Sequence, residues 1–220
     1  MTVPPTTSDP RAANLLFVAP GIAHLLGNAL FTVQGRAKLL SMAAAEEGTA
    51  RDQIESDADA VVEGATRSLG ALAVLRWLLG EIRQPAAVGL IVHELVDVLR
   101  VPMRDHGGKV EWSADSDPED EVDPYELAHA LLSAMRQICA GRHAEAFTVT
   151  LTMDRIEGAA ALSICSRGEA RNATHGRPLG LVLDALQAES PGPGASWQAC
   201  GGPDQLVLVL TGPQSNLRTS

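Results

Sequence analysis

Over residues 11–45 the apolar positions recur at spacings of mostly three and four: Leu15, Val18, Ile22, Leu25, Ala29, Val33 and Leu40. That period places them on one side of a helix and puts His24, Asn28 and Lys38 on the other side, facing outward. Residues 46–49 (E-E-G-T) read as a turn. A second helix is expected over residues 51–82, where Ile54, Ala58, Val61, Ala65, Leu69, Leu72, Leu75 and Leu79 keep bundle spacing. Two long helices joined by a short turn form an antiparallel hairpin, and each carries more apolar surface than one neighbour can cover. A second copy of the chain would complete a four-helix bundle, so a homodimer is expected.

After Pro85 the pattern becomes shorter and mixed. Residues 86–104 read as a helix with Val88, Ile91, Leu95, Val98 and Leu99 apolar, and Val110, Trp112 and Ala114 suggest a short strand. Asp123 and Pro124 stand where an N-cap and a first-turn proline belong. They open a helix through Ala140 that buries Leu127, Ala130, Leu131, Ala134, Met135 and Ile138. Strands are expected over 147–153 and 160–165, a helix over 180–188 and a closing strand over 205–211. The fold class is α+β: a helical hairpin over 11–83, then, over 86–213, a mixed sheet with helices laid on one side.

Composition narrows the functional classes. The chain has 220 residues, 45% of them hydrophobic, enough for a substantial core, while aromatics make up only 3%. A net charge of −10 with no basic stripe argues against a nucleic-acid partner. Cys139, Cys165 and Cys200 have neither zinc nor disulfide spacing and are expected to be buried thiols in a reducing compartment. The acidic run over 115–123 lacks the glycine and terminal glutamate of a calcium loop and reads as a solvated loop. The start lacks a basic region followed by an apolar run, and no later stretch is read as long enough to span a bilayer. A cytoplasmic protein with no membrane partner is therefore expected.

The chemistry concentrates on the first helix. An exposed, uncharged imidazole beside a small residue can attack an acyl phosphate in line, and the amide of Asn28, one turn on, can orient the incoming group. Gly27 leaves room for a second protein to approach.

The segment G-I-A-H-L-L-G-N, residues 21–28, resembles the phosphoacceptor helix of histidine kinases, with His24 at the phosphoaccepting position, Asn28 at the polar residue one turn later and Gly35 at a frequent downstream glycine. The whole chain resembles the two-domain histidine phosphotransferases, which look like sensorless, degenerate kinases. That resemblance implies a dimeric hairpin bearing the histidine, followed by a domain of the ATPase type that histidine kinases share with type II topoisomerases. Leu25 stands where kinases usually carry an acidic residue. Ser133 and Gln137 stand where the kinase nucleotide-binding helix has asparagines, and Ser166 stands at the adenine-recognising aspartate, followed by Gly168. Residues 175–183 (H-G-R-P-L-G-L-V-L) resemble the stretch after a nucleotide lid, although Gly176 and Gly180 suit a turn and tight packing better than phosphate binding.

The resemblance implies that His24 relays a phosphoryl group between receiver-domain aspartates, with no cofactor held by this chain and Mg2+ expected in the partner receiver. Response regulators, or receiver domains of hybrid kinases, are the implied partners. Two alternatives stand beside it: an inert, kinase-like dimeric adaptor that binds a regulator or kinase, and a residual ATP-dependent kinase. His93 and Glu94 lack the H-E-x-x-H zinc pattern, His106, His129, His143 and His175 lack convergent spacing, and Trp77 is expected to anchor the hairpin on the second part. Arg36 and Lys38 could meet an acidic receiver pocket.

Overall fold

The computed structural model describes residues 9–44, 51–113, 120–140, 146–156, 159–168, 197–201 and 205–210. Helix α1 (Pro10–Ala43) opens on Asp9, whose carboxylate accepts the Arg11 backbone N–H at 2.9 Å, with Pro10 in the first turn. Pro20 lies inside α1 and leaves the Leu16 carbonyl without its helical donor on the exposed side. Helix α2 (Arg51–Leu78) returns alongside α1. Gly64 allows close approach: a Cβ there would lie 3.0 Å from Val33 Cγ2 and 3.2 Å from the Ala29 carbonyl oxygen.

The end of α2 is set by glycine chemistry. Gly80 adopts φ of 72°, its N–H reaches the Trp77 carbonyl, and the Glu81 N–H reaches the Arg76 carbonyl, both at 2.9 Å. This left-handed cap satisfies carbonyls that the helix leaves open. Strand β1 (Ala86–Ala87) and helix α3 (Val88–Asp105) follow, then β2 (Gly108–Ser113) and β3 (Glu121–Val122). Helix α4 (Pro124–Ala140) is capped by Asp123, whose Oδ1 accepts the Tyr125 N–H at 2.9 Å. The chain ends its described part with β4 (Phe147–Ile156), β5 (Ala159–Gly168), β6 (Trp197–Gly201) and β7 (Gln205–Leu210).

Among the described residues five strands form a mixed sheet in the order β2-β4-β5-β7-β6, with β2 parallel to β4 and the other pairs antiparallel. The pleat sorts β4 by period two: Phe147, Val149 and Leu151 are buried, while Thr148, Thr150 and Thr152 on the other face are half-buried. β1 and β3 pair separately as a two-stranded ribbon. One apolar cluster runs through both halves of the chain. It joins Val18 and Ile22 of α1 and Val74, Trp77 and Leu78 of α2 to α3, α4 and the buried sheet face. Trp77 anchors the hairpin in that cluster, as expected from sequence.

Four expectations change. The stripe expected to pack α2 is largely turned outward: Ala58, Ala65, Leu69, Leu72 and Leu79 are exposed, whereas Asp57, Gly64, Gly70, Ala71, Val74, Trp77 and Leu78 are buried. Small residues let α1 approach on the side opposite the periodic leucines, so the apolar period marked a face that no part of the described chain covers. The cysteines differ from one another. Cys139 is buried, but Cys165 is half-buried on the face of β5 opposite the core and Cys200 is exposed on edge strand β6. Helix α1 is long and apolar enough, by length and composition, to cross a membrane, contrary to the sequence reading. Here it packs on α2, α3 and α4. Finally, β1, β3 and β6 were not expected; the first two are two residues long, too short for a period to register. The helix expected over 180–188 lies outside the described residues.

Candidate functional site

His24 and Asn28 are both exposed on α1, one turn apart, and the structure joins them: Asn28 Nδ2 donates to His24 Nε2 at 2.9 Å. With the amide in this orientation Nε2 is the acceptor, which corresponds to the tautomer with its proton on Nδ1 and a lone pair on Nε2. The bond fixes the ring over the helix surface instead of leaving it to rotate. Leu25, next in sequence, is half-buried and turned toward α2.

A shallow cavity of about 100 Å³ opens beside this pair, between α1 and α2. Leu25, Asn28 and Thr32 line it from α1, and Ala60, Glu63, Gly64 and Arg67 from α2. Its floor is low because Gly64 and Ala60 are small. Its rim carries the Arg67–Glu63 ion pair, with both side chains about two-thirds exposed, so the pair holds loosely in water and is free to exchange partners. Asn28 belongs both to the histidine pair and to this groove, which makes the two one continuous site.

Other candidates take different roles. Arg36 donates to the Asp57 carboxylate at 2.6 Å, Gln53 donates to its other oxygen at 3.2 Å, and Asp57 is 2% exposed. Arg36 therefore ties α1 to α2 and is not a ready contact for a partner, while Lys38 is exposed on the outward face. His93 is exposed on α3. Its neighbour Glu94 packs on Gly70, where an added Cβ would come within 1.9 Å of the carboxylate, and burial holds this carboxyl above the usual glutamate range. His106 closes the end of α3 through the Pro102 carbonyl (2.8 Å) and lies against Phe17 of α1. His143, His175, Gly176 and Gly180 lie outside the described residues. Among the described residues no group of three or more His, Cys, Asp and Glu is placed to hold a metal ion.

Sequence reading missed a second polar centre, where α1 meets α4. Asn14 is 1% exposed on α1; its Nδ2 donates to Ser133 Oγ at 2.9 Å and to the His129 carbonyl at 3.1 Å, and its Oδ1 accepts Arg136 Nε at 3.2 Å. His129 Nε2 meets the Leu78 carbonyl at the end of α2 at 3.2 Å, and its ring stands edge-on to Tyr125. Tyr125 in turn lies under the guanidinium groups of Arg83 (4.4 Å) and Arg11 (5.2 Å), and Arg83 also pairs with Asp123 and Glu126. Ser133 is thus buried beneath α1. Gln137, the other residue at an expected asparagine position, is half-buried on the next turn of α4. Ser166 lies opposite Val149, and Gly168 opposite Phe147, in the β4–β5 pair. The available signal was Asn14 itself, an amide four residues before Val18 and close to the buried stripe of α1.

Fold and site together define an α+β protein that presents a hydrogen-bonded histidine on the outer face of a helical hairpin packed on α3 and α4. In sequence the chain matches no protein-family profile and no curated protein. Among solved structures it is similar to the histidine kinase AdeS of Acinetobacter baumannii, at 13% identity over 87% of this chain and 98% of that one, TM-score 0.41. It is similar also to a histidine kinase from Burkholderia phymatum, at 17% identity over 94% of this chain and 98% of that one, TM-score 0.41. A third is a bacterial phosphotransferase, at 13% identity over 94% and 98% of the two chains, TM-score 0.39. At such identities and scores these likenesses assign the chain to no family.

Proposed function

We propose that His24 is a phosphoryl carrier, accepting phosphate from the aspartyl phosphate of one receiver domain and returning it to the aspartate of another. The observation that carries this reading is the 2.9 Å bond from Asn28 Nδ2 to His24 Nε2 on an exposed helix face beside an open groove. An acyl phosphate is an activated donor, so the carrier needs only a positioned nucleophile. The Nε2 lone pair forms the N–P bond as the P–O bond to the donor carboxyl breaks. The aspartate leaves as a carboxylate, and the Nδ1 proton stays on the ring. Asn28 releases Nε2 at that moment, and its amide is then free to donate to a phosphoryl oxygen. The return step reverses these events on a second aspartate. The receiver supplies Mg2+, and the groove seats its approach.

This role does not require ATP on this chain. Ser133, at a position where the kinase resemblance expects a nucleotide ligand, is 5% exposed and hydrogen-bonded to Asn14 of α1. A nucleotide reaching it would have to displace the start of the hairpin. The protein works in the cytoplasm as a homodimer, with response regulators or receiver domains of hybrid kinases as partners. The outward faces of α1 (Leu30, Phe31) and α2 (Val62, Leu69, Leu72) form the shared four-helix bundle.

The test is transfer of labelled phosphate from purified phosphorylated receivers to wild type and to His24→Gln, with an ATP-only control. Labelling of wild type alone, and only from receivers, is the expected result. Receiver binding without labelling would make the chain an adaptor, and labelling from ATP would make it a kinase.

A further inference from the structure

The polar centre at Asn14 contains more hydrogen-bonding chemistry than packing of α1 on α4 requires. Its carbonyl oxygen already accepts from Arg136 Nε (3.2 Å) and from Ser133 Oγ (3.3 Å). Its amide nitrogen, whose two protons go to Ser133 Oγ and the His129 carbonyl, also lies 3.4 Å from His129 Nδ1, a proximity tolerated only while Nδ1 carries no proton. His129 Nε2–H is committed to the Leu78 carbonyl. A proton added to Nδ1 would set a donor against the Asn14 donor. Turning the Asn14 amide over would present its carbonyl oxygen to Nδ1–H, at the cost of the bonds that now run from Arg136 Nε to that oxygen and from the amide to the His129 carbonyl.

We propose that this junction is a proton-sensitive latch: protonated His129 and Arg136 compete for the single carbonyl oxygen of Asn14, and the competition loosens the first turns of α1 from α4. The surroundings oppose protonation. Burial holds the His129 imidazole below the usual histidine range; the bond to the Leu78 carbonyl works against this, Arg11 reinforces it and Asp9 opposes it. The charged groups around the ring are Arg11 and Asp9 from α1, Arg136 and Glu126 from α4, and Arg83 and Asp123 beside Tyr125. The folded state binds this proton more weakly than the unfolded state does. The stabilising contribution is therefore whole above the unfolded value of 6.5 and is lost as pH falls through the lower folded value. Mild acid loosens the seat of the helix that carries His24, ten residues further along.

Hydrogen exchange of the full chain, corrected for the intrinsic effect of pH and read over residues 11–18, tests the latch. Wild type should lose protection there by about tenfold between about pH 7.5 and about pH 5. His129→Gln keeps a donor for the Leu78 carbonyl but cannot titrate, and its protection should not change with pH. Asn14→Asp places a carboxylate between His129 and Arg136, so both cations are accommodated and protection should rise on acidification. Acid loosening that persists in His129→Gln, or an Asn14→Asp variant that loosens as wild type does, would overturn the proposal; should His129→Gln fail to fold, the direction seen in Asn14→Asp decides.

Discussion

The two ends of the helical hairpin face opposite problems. At the end near α3 and α4 the chain covers its own apolar surface: Val18, Ile22, Val74, Trp77 and Leu78 join the common core, and polar atoms find partners at Asn14 and Tyr125. At the far end α1 and α2 have only each other. Their contact relies on small residues and on the buried Asp57 bridge, and Phe31 and Val62 stay 79% and 64% exposed. His24 lies at the boundary between the two. The contrast teaches that the near end fixes the helix while the far end leaves apolar surface uncovered, so His24 sits on an anchored helix yet remains exposed.

Substitutions that add one methyl group separate the two ends most sharply. A Cβ at Gly21 would lie 1.8 Å from the Val98 carbonyl oxygen, a backbone atom that cannot step aside, so Gly21→Ala should destabilise the protein by about 3 kcal/mol in urea unfolding. A loss below about 1 kcal/mol would mean that α1 and α3 are not pressed together. At the far end the larger effect is on association. Val62→Glu should shift the proposed dimer to monomer in sedimentation while leaving the near-end core intact, and a variant still dimeric would place the interface elsewhere.

Gly27 has no neighbour within 4 Å of where its Cβ would lie, so Gly27→Ala should stabilise the hairpin by about 0.5–1 kcal/mol in the same urea experiment. A loss would show that the open space is filled in solution. The smallest effect belongs to Glu94, whose carboxyl is held above the usual range by burial over Gly70. The folded state binds its proton more tightly than the unfolded one, so its contribution is whole in acid and is lost as pH rises through the folded value. Glu94→Gln should therefore raise the thermal midpoint at neutral pH and match wild type below the ordinary value of 4.5. Equal shifts at both pH values would trace the effect to packing instead of charge.

How far the sequence carried depends on what kind of signal each feature leaves. The hairpin, α3, α4, β4, β5 and β7 were legible because long apolar periods and the Asp123–Pro124 start signal are local properties. His24 and Asn28 were legible as a pair because four-residue spacing on a helix dictates adjacency. The α2 stripe misled because periodicity reports that a face is apolar and not which neighbour covers it. The latch was illegible because Asn14 and Ser133 are 119 residues apart, and only the crossing of α1 over α4 brings them together. Arg36 likewise looked like a surface cation until the fold placed Asp57 beneath it.

The proposed relay requires phosphate on one ring nitrogen of His24. Tandem mass spectrometry of the protein, kept alkaline after brief exposure to phosphorylated receivers, measures this directly. The predicted result is a single acid-labile phosphate on the peptide containing His24, absent from His24→Gln, while Asn28→Ala slows its appearance by about tenfold. Phosphate on any other residue, or equal labelling of His24→Gln, would contradict it.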